Sequence, residues 1–408
     1  MMIPSDPGWR AALHIIERLV AAGHRAVLAG GCVRDMLLDL QPKDYDVATD
    51  ARPERVRELF PGARHVGAKF GVILVRKLER DVEVATFRTE GPYSDGRHPD
   101  TVAYGTEEQD AKRRDFTING LFFDPATGQV IDYVGGGADL SRRVVRTIGR
   151  PAHRFAEDHL RMLRGVRLAA KLGFAIDAET ENAIRETAAR LRSISAERIW
   201  AEVEQILVDP ARAVGWQRLV DLGLREHLSP LLPETQDVSL VHRRLTSLPE
   251  LPVSAELGFA ALVCDLSPQQ ASRICQSLRM SNRLTGRVAW LVSSLRRVRE
   301  GGELELADLK LMIAEPAWPD LLELLRADLM AHGRRLDVYD LLKSRAAGVA
   351  PADVAPPPLL TGEDLIQMGF SPGPKFGEVL TELYRRQLNG ALRTHDQAAN
   401  LAKQLLLG

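Results

Sequence analysis

The chain has 408 residues, with 54 lysines and arginines against 55 aspartates and glutamates, so its formal net charge is −1. This length allows several domains, and the near-neutral average gives no indication for or against a nucleic-acid partner. Cys32, Cys264 and Cys275 are scattered and lack metal-ligand spacing, which excludes a disulfide framework and fits a reducing compartment. Met1–Gly8 carries no signal pattern and no apolar run is long enough to span a bilayer, so we expect a cytoplasmic protein without membrane association.

Helical and strand-like patterns alternate over about the first 140 residues. Apolar spacing predicts a helix at Trp9–Ala22, and short apolar runs predict five strands: Val27–Ala29, Tyr45–Ala48, Gly71–Val75, Val82–Phe87 and Val130–Tyr133. The third and fourth runs flank a charged turn, which predicts a hairpin. From about residue 154 helical patterns take over: Arg154–Leu172, Ala178–Leu191, Ala196–Val208, Ala211–Leu222, Ala255–Val263 and Pro268–Leu278. The sequence therefore predicts an α+β domain followed by an all-helical extension.

A glycine pair and two aspartates flank a predicted helical segment from about Cys32 to Leu40. Gly30 and Gly31 close the first predicted strand, and Asp44 and Asp46 open the next one. Residues two apart on a strand project to the same face, so the two carboxylates repel each other unless a cation lies between them, and oxygen ligands favour magnesium. A glycine turn lets backbone N–H groups approach a phosphate. Metal and phosphate together indicate phosphoryl transfer, although each fragment alone is common in ordinary turns and loops.

Two further charged motifs lie in the α+β part. Glu83 sits in an apolar strand, where a carboxylate is costly unless it is paired, bound to metal or on the solvent face. The adjacent Arg113 and Arg114 can clamp triphosphate oxygens with their fork geometry, and Asp115 can accept a hydrogen bond from a ribose hydroxyl. The alternative for this second motif is a basic helix start with a charge pair.

The segment Glu157–Arg167 predicts recognition of a nucleobase. On one helix Asp158 and Arg161 would be neighbours, and Arg164 and Arg167 continue the series. Cytosine and adenine both present an amino donor beside a ring-nitrogen acceptor, which match a carboxylate and a guanidinium, whereas uracil and guanine present a carbonyl instead of the amino group. Such a pair would select C and A without a nucleic-acid template. The alternative is that these residues form ordinary salt bridges on the protein surface.

In this order the motifs resemble the nucleotidyltransferase superfamily, in particular its tRNA CCA-adding and bacterial poly(A) polymerase branch. The resemblance is strong over residues 25–175, weak in the helical middle, and returns at 360–400. It implies an α+β, polymerase beta-like nucleotidyltransferase head with a mixed sheet, followed by an all-α neck, body and tail. The expected boundaries are 1–140 for the head, 141–210 for the neck with base recognition, 211–346 for the body, 347–358 for a proline-rich linker and 359–408 for an RNA-binding tail.

The resemblance also implies a site and a reaction. Asp44 and Asp46 are expected to hold two Mg²⁺ ions, with Glu83 as the third catalytic carboxylate. The expected nucleotide-binding residues are Gly30, Gly31, Arg34, Arg113, Arg114, Asp115, Asn119, Asp158, Arg161, Arg164 and Arg167. The chain departs from the family at Gly120, where alanine is usual. The expected reaction is template-independent addition of C and A nucleotides to the 3′ end of tRNA from CTP and ATP, with release of pyrophosphate.

Related activities stay open at this stage. The segment Arg64–Val75 resembles CCA-adding relatives more than poly(A) polymerases, and the full-length loop Glu90–Pro99 argues against an enzyme that adds only C. An A-adding enzyme and a poly(A) polymerase remain alternatives, and a non-catalytic RNA-binding protein is a remote one. Basic runs at 142–154, 273–287 and 385–386, and the turn Gly373–Gly377, either contact RNA or are solvated surface. The oligomeric state, monomer or homodimer, is open.

Overall fold

The computed structural model describes residues 3–65, 71–91, 93, 101–228, 237–299 and 304–407. The chain divides into two compact units, Met1–Ile206 with Val214–Glu234 and Leu207–Ala213 with Thr235–Gly408, and each is described by itself. The five segments expected from the sequence are finer than this division, and their boundaries stay a prediction.

The first unit contains all eleven strands of the described residues. They are β1 Ala26–Ala29, β2 Asp46–Thr49, β3 Arg64–His65, β4 Val72–Lys77, β5 Arg80–Thr86, β6 Arg88–Glu90, β7 Val102–Tyr104, β8 Leu121–Asp124, β9 Gln129–Asp132, β10 Val144–Val145 and β11 Ala175–Ile176. The helices up to residue 228 are α1 Pro7–Ala21, α2 Gly31–Leu37, α3 Pro53–Leu59, α4 Glu107–Lys112, α5 Gly136–Arg142, α6 Pro151–Glu157, α7 Arg161–Leu172, α8 Ala178–Thr187, α9 Ala196–Val208, α10 Arg212–Asp221 and α11 Leu224–His227, with 3₁₀ turns at Thr117–Asn119 and Ala188–Ser193.

Seven of these strands form one mixed sheet in the order β3-β4-β5-β2-β1-β8-β9. Strands β2 and β5 pair in parallel, and all the other neighbouring strands of this sheet pair antiparallel. The expected mixed sheet is therefore confirmed. The antiparallel pairing of β4 with β5 confirms the hairpin. Both faces of the central strands are covered, since Leu28 and Val47 join the core beneath α1, whereas Ala29 and Ala48 join a smaller apolar cluster with Phe122.

The start of α1 fixes the segment that carries the predicted metal ligands. Asp6 caps the helix by accepting hydrogen bonds from the backbone N–H groups of Gly8 at 2.7 Å and Trp9 at 3.2 Å. The hydroxyl of Tyr45 donates to the same carboxylate at 2.6 Å, and its ring lies edge-on to Trp9 with 6.0 Å between centroids. Because Tyr45 is anchored in the core, its chain neighbours Asp44 and Asp46 face the other side of this extended segment.

The predicted continuous helix Arg154–Leu172 is wrong at residues 158–160. Helix α6 ends at Glu157 and α7 begins at Arg161, and Asp158 between them has an extended backbone with φ −143° and ψ 106°. The Asp158 carboxylate accepts a hydrogen bond from the backbone N–H of Leu160 at 3.1 Å. Aspartate side chains compete in this way with helical hydrogen bonds, and the apolar periodicity that predicted one helix does not register such competition.

The second unit is entirely helical in its described residues. Its helices are α12 Val238–Ser247, α13 Ala255–Val263, α14 Pro268–Ser277, α15 Asn282–Arg299, α16 Leu306–Ala314, α17 Trp318–Ala331, α18 Asp337–Ala347, α19 Pro351–Val354, α20 Gly362–Gln367, α21 Pro374–Leu388 and α22 His395–Leu407. The predicted order, an α+β part followed by a helical remainder, is therefore confirmed. Two elements were not expected: a short parallel pair of strands, β10 with β11, lies inside the expected neck, and helix α19 lies inside the expected linker. Across the described ranges, no helix is both long and apolar enough to cross a membrane.

An ionic network is buried in the core of the second unit. Arg244 is 0% exposed, and its guanidinium donates to Asp328 at 3.0 Å, to the backbone carbonyl of Ala261 at 3.0 Å and to Asp265 at 2.9 and 3.0 Å. Cys264, Asp265 and Asp328 place their ligand atoms within 4.8 Å of one another, which is close enough for a metal site. However, Arg244 and Arg299 together already neutralise the two carboxylates, and burial raises the pKa of the Cys264 thiol to about 12. The cluster is therefore an ion-pair network rather than a metal centre.

Replacing Arg244 by methionine is expected to destabilise the protein strongly. The change removes one of the two arginines that bind Asp328, which is 1% exposed and keeps Arg299 at 2.7 Å. Breaking such a buried pair costs about 3–5 kcal/mol. The matched control is Arg335→Met, because Arg335 is 88% exposed in its pair with Asp337 and its loss is worth less than about 1 kcal/mol. Urea unfolding of the two variants measures both values, and equal losses would contradict the structural role of the network.

Candidate active site

Three carboxylates meet at the edge of the glycine turn. The register pairs Asp46 of β2 with Ala29 of β1, one residue before Gly30. On the other side, Val47 lies opposite Val84 in the parallel pair, so Asp46 is the neighbour of Glu83. Burial raises the pKa of Asp46 from its ordinary 3.8 to about 6, and the negative charges of Glu83 and Asp44 add to this effect. The negative charges of the three carboxylates repel one another, and a divalent cation bound by their oxygens would remove this repulsion.

The glycine turn brings an arginine directly over the backbone. Gly30 has φ 78°, and a Cβ atom on it would lie 2.8 Å from the Nη1 atom of Arg114. The positive φ favours glycine at this position, and a Cβ atom would also displace the Arg114 guanidinium. Arg34, one turn into α2, is 7% exposed and donates through Nη1 to the Asn119 side-chain oxygen at 2.6 Å. The turn thus presents backbone and guanidinium groups to one side of the sheet.

A buried carboxylate that the sequence analysis missed holds the two adjacent arginines. Asp110 is 1% exposed and accepts hydrogen bonds from Arg113 at 2.8 Å and Arg114 at 2.9 Å. Burial alone would raise the pKa of Asp110, but these two arginines lower it. Glu90 accepts a second bond from Arg113 at 3.1 Å and one from the hydroxyl of Tyr93. The three- and four-residue spacing of Asp110 to the arginines is a signal from which this anchor was predictable.

Asp115 faces inward and connects the α+β part to α7. Its carboxylate accepts bonds from the backbone N–H of Phe116 at 2.8 Å and the side chain of Asn119 at 3.1 Å, and it lies 2.7 Å from Arg164 Nη2. Burial alone would raise the pKa of Asp115, but the charge of Arg164 and these hydrogen bonds lower it to about 2. Its oxygens therefore orient Asn119 and Arg164, and the contact with a ribose hydroxyl stays a prediction.

Asp158 and Arg161 lie at the same cavity, and the backbone N–H of Arg161 donates to the carbonyl of Asp158 at 3.1 Å, but their side chains bind other partners. Asp158 accepts two bonds from Arg198, at 2.9 and 3.0 Å, and Arg161 donates to Glu157 and to the backbone carbonyl of Arg154. The predicted placement of both residues on one helix is wrong, because Asp158 precedes α7 rather than belonging to it. The sequence analysis missed Arg198, whose contact with Asp158 spans 40 residues of chain.

These groups line one cavity of about 630 Å³ in the first unit. All eleven predicted nucleotide-binding residues line it, together with Asp46, whereas Asp44 and Glu83 lie beside it. The lining residues that the sequence analysis did not assign are Arg88, Glu90, Tyr93, Phe116, Leu168, Lys171 and Arg198. Nine lysine and arginine side chains against four carboxylates leave an excess of positive charge, which suits a polyphosphate. Residues 66–70 of one predicted family segment, and residues 92 and 94–99 of the predicted loop, lie outside the described residues.

The departure at Gly120 also has a local cause. A Cβ atom on this residue would lie 2.7 Å from Val134 Cγ2 and 3.1 Å from Ile148 Cδ1. Alanine would require both side chains to move, so glycine here follows from the packing behind the 3₁₀ turn that carries Asn119.

Comparisons with known proteins find similar sequences over nearly the whole chain. The family model of the poly A polymerase head domain matches residues 26–146, and the model of a probable RNA- and SrmB-binding site of polymerase A matches residues 173–236. The CCA-adding enzyme of Streptococcus gordonii is 33% identical over 399 residues, which cover 96% of this chain and 95% of that protein.

Solved structures show the same relationship. The Bacillus stearothermophilus CCA-adding enzyme in complex with CTP superposes with a TM-score of 0.79 at 28% identity, covering 98% of this chain and 99% of that one. The Thermotoga maritima CCA-adding enzyme complexed with tRNA has a TM-score of 0.64 over 97% and 93% of the two chains, and at 19% identity this likeness shows the fold alone.

The raised pKa of Asp46 predicts a stability that depends on pH in the absence of metal. The folded state holds this proton more tightly than the unfolded chain, so the protein loses stability as the pH rises from about 4 to about 6, by on the order of 2 kcal/mol. Asp46→Asn removes the penalty and is expected to raise the thermal midpoint in EDTA at about pH 7.5 but hardly at about pH 4.

The exposed carboxylate Glu17, on α1, provides the control for this measurement. Glu17→Gln is expected to leave the thermal midpoint unchanged at both pH values. An Asp46→Asn variant that is less stable than the parent at neutral pH would contradict the repulsion among the three carboxylates.

Proposed function

The chain is a nucleotidyltransferase of the CCA-adding enzyme family, and we propose that it adds C and A nucleotides to the 3′ end of tRNA. CTP and ATP supply the nucleotides, and pyrophosphate is released. The observation that carries the proposal is the single cavity in which the glycine turn, the anchored arginines and the pair Asp158 and Arg161 all meet. The family resemblance found in the motifs is confirmed by the nearly full-length match.

Asp44, Asp46 and Glu83 would hold the metal. Nucleotidyltransferases of this family use divalent metal ions, and the all-oxygen donor set with its mutual repulsion fits Mg²⁺. When bound, two such ions lower the pKa of the attacking 3′-hydroxyl and stabilise the charge that develops on the leaving pyrophosphate.

The residues of the glycine turn and the anchored arginines bind and orient the nucleotide. The N–H of Gly30 already donates to the Leu121 carbonyl at 2.9 Å, so Gly31 offers its backbone N–H to the phosphates. Arg34 and Arg114 neutralise the charge of the phosphates from the same side. Because Asp110 and Asn119 already fix these two guanidinium groups, little side-chain freedom is lost on binding. Their contribution is therefore a positioned triphosphate rather than a proton transfer.

Asp158 and Arg161 read the base from the other side of the cavity. The Asp158 carboxylate accepts from the amino group that cytosine and adenine share, and Arg161 donates to the adjacent ring nitrogen. A uracil or guanine carbonyl facing Asp158 would leave two acceptors opposed without a proton between them. The protein thus replaces a nucleic-acid template.

The finer assignments rest on the same family relationship. The head, neck, body, linker and tail would follow the sequence-based boundaries, with tRNA bound by the helical part beyond the head. The three cysteines are free and buried, which supports the cytoplasm as the place of the reaction. An A-adding enzyme and a poly(A) polymerase share this site and differ in their substrate RNA.

Addition to tRNAs of defined length tests the proposed function. With magnesium, CTP and ATP, tRNAs that end before the CCA tail, after C and after CC are all expected to reach the full CCA end. Extension of the CC-ended tRNA alone, with ATP, would instead identify an A-adding enzyme. Long adenylate tails on unrelated RNA would identify a poly(A) polymerase.

Asp44→Asn tests the metal assignment separately. Loss of this ligand is expected to reduce incorporation by at least about a thousandfold, because charge stabilisation at the reacting phosphate is lost, while tRNA binding stays nearly intact. The control is Asp50→Asn, which lies just beyond the other end of β2 and outside the cavity and is expected to retain activity. Near-normal turnover of Asp44→Asn would show that this carboxylate holds no catalytic metal.

A further inference from the structure

The hydrogen bonds of Asp158 leave one acceptor position for a ligand. Its Oδ1 atom accepts from the backbone N–H of Leu160 at 3.1 Å and from Arg198 Nη2 at 3.0 Å, and its Oδ2 atom accepts from the same Arg198 nitrogen at 2.9 Å. Each carboxylate oxygen has two lone pairs. Counting the partners within the described part of the chain, both lone pairs of Oδ1 are used and one on Oδ2 remains.

Arg198 is held in place by the helix that carries it. It lies in the first turn of α9, and its side chain is 22% exposed at the cavity wall. One turn further along the same helix, Glu202 accepts a hydrogen bond from Arg167 of α7 at 2.7 Å. Helix α9 therefore contacts both the segment before α7 and α7 itself, and Arg198 and Glu202 share one of its faces.

Other cations near Asp158 are already matched to carboxylates of their own. Arg161 is bound by Glu157, and Arg164 lies 2.7 Å from Asp115. The charge of Asp158 also acts on Arg164 and contributes to its raised pKa, so the two side chains are close. Without Arg198, the most favourable movement for the Asp158 carboxylate is a turn toward Arg164 or Arg161, which would use up the free acceptor.

We propose that Arg198 is a positioning residue for base selection. By binding both oxygens of Asp158, it aims the remaining Oδ2 lone pair at the amino group of cytosine or adenine and keeps the carboxylate from pairing with the neighbouring arginines. This inference rests on the proposed role of Asp158 in reading the base. In this role Arg198 acts through Asp158, so we expect its effect on discrimination rather than on the chemical step.

Steady-state kinetics of Arg198→Met test the proposal. The preference for CTP over UTP and for ATP over GTP is expected to fall about tenfold, through a higher KM for CTP and ATP, with kcat changed by no more than about twofold. Arg198→Lys keeps the charge and is expected to recover part of the preference. Arg192→Met, an exposed arginine six residues earlier, is the control and should match the parent protein.

A double-mutant cycle separates a positioning role from a merely structural one. Asp158→Asn alone should lower the preference, and adding Arg198→Met to it should change nothing more, because both act through one acceptor. Losses that multiply, or an Arg198→Met protein with full selectivity, would overturn the inference while leaving the role of Asp158 intact.

Two results bear on the premise and on folding. If Asp158→Asn keeps full selectivity, Asp158 does not read the base, and the inference fails with that premise although CCA addition itself can stand. Thermal unfolding checks that Arg198→Met folds. Should it not, Arg198→Lys decides, since an intermediate loss of selectivity supports the proposal and full selectivity with unchanged KM contradicts it.

Discussion

The active-site cavity depends on carboxylates that lie behind its arginines. Nine cationic side chains share a space of about 630 Å³, and without counter-charges they would repel one another and rotate into solvent. Asp110 fixes Arg113 and Arg114, and Asp115 fixes Arg164. Glu157 holds Arg161 and Glu202 holds Arg167 in the same way. Each guanidinium is thereby oriented before a nucleotide arrives, which lowers the entropy that binding costs.

The same constraint explains how strands and helices build one site. The sheet brings Asp46 to the glycine turn and to Glu83, while the helical segments and the residues that join them supply Asp158 and Arg161, the groups proposed to read the base. Asp115 connects these two parts, since it follows α4 and reaches Arg164 in α7. One end of the cavity is therefore acidic and suited to metal, whereas the rest is cationic and suited to a triphosphate and a base.

The sequence predicted five of the seven strands of the main sheet, the hairpin and eleven residues that line the cavity, because ordered motifs and apolar periodicity carry that information. It missed β3 and β8. It placed Asp158 and Arg161 on one helix, since periodicity does not reveal a side chain that competes for the N–H of Leu160. Arg198 and Asp158 are 40 residues apart in the chain, so no local sequence spacing could predict their contact. Asp110, by contrast, lies within one helical turn of its partners and was predictable. The roles of the individual site residues stay predictions.

Equilibrium binding of the four nucleoside triphosphates, with Mg²⁺ and without tRNA, tests the central claim most directly. If the protein's own side chains select the base, CTP and ATP bind about tenfold or more tightly than UTP and GTP before any RNA is present. Equal binding of all four would contradict this account, because selection would then have to come from the RNA rather than from Asp158 and Arg161.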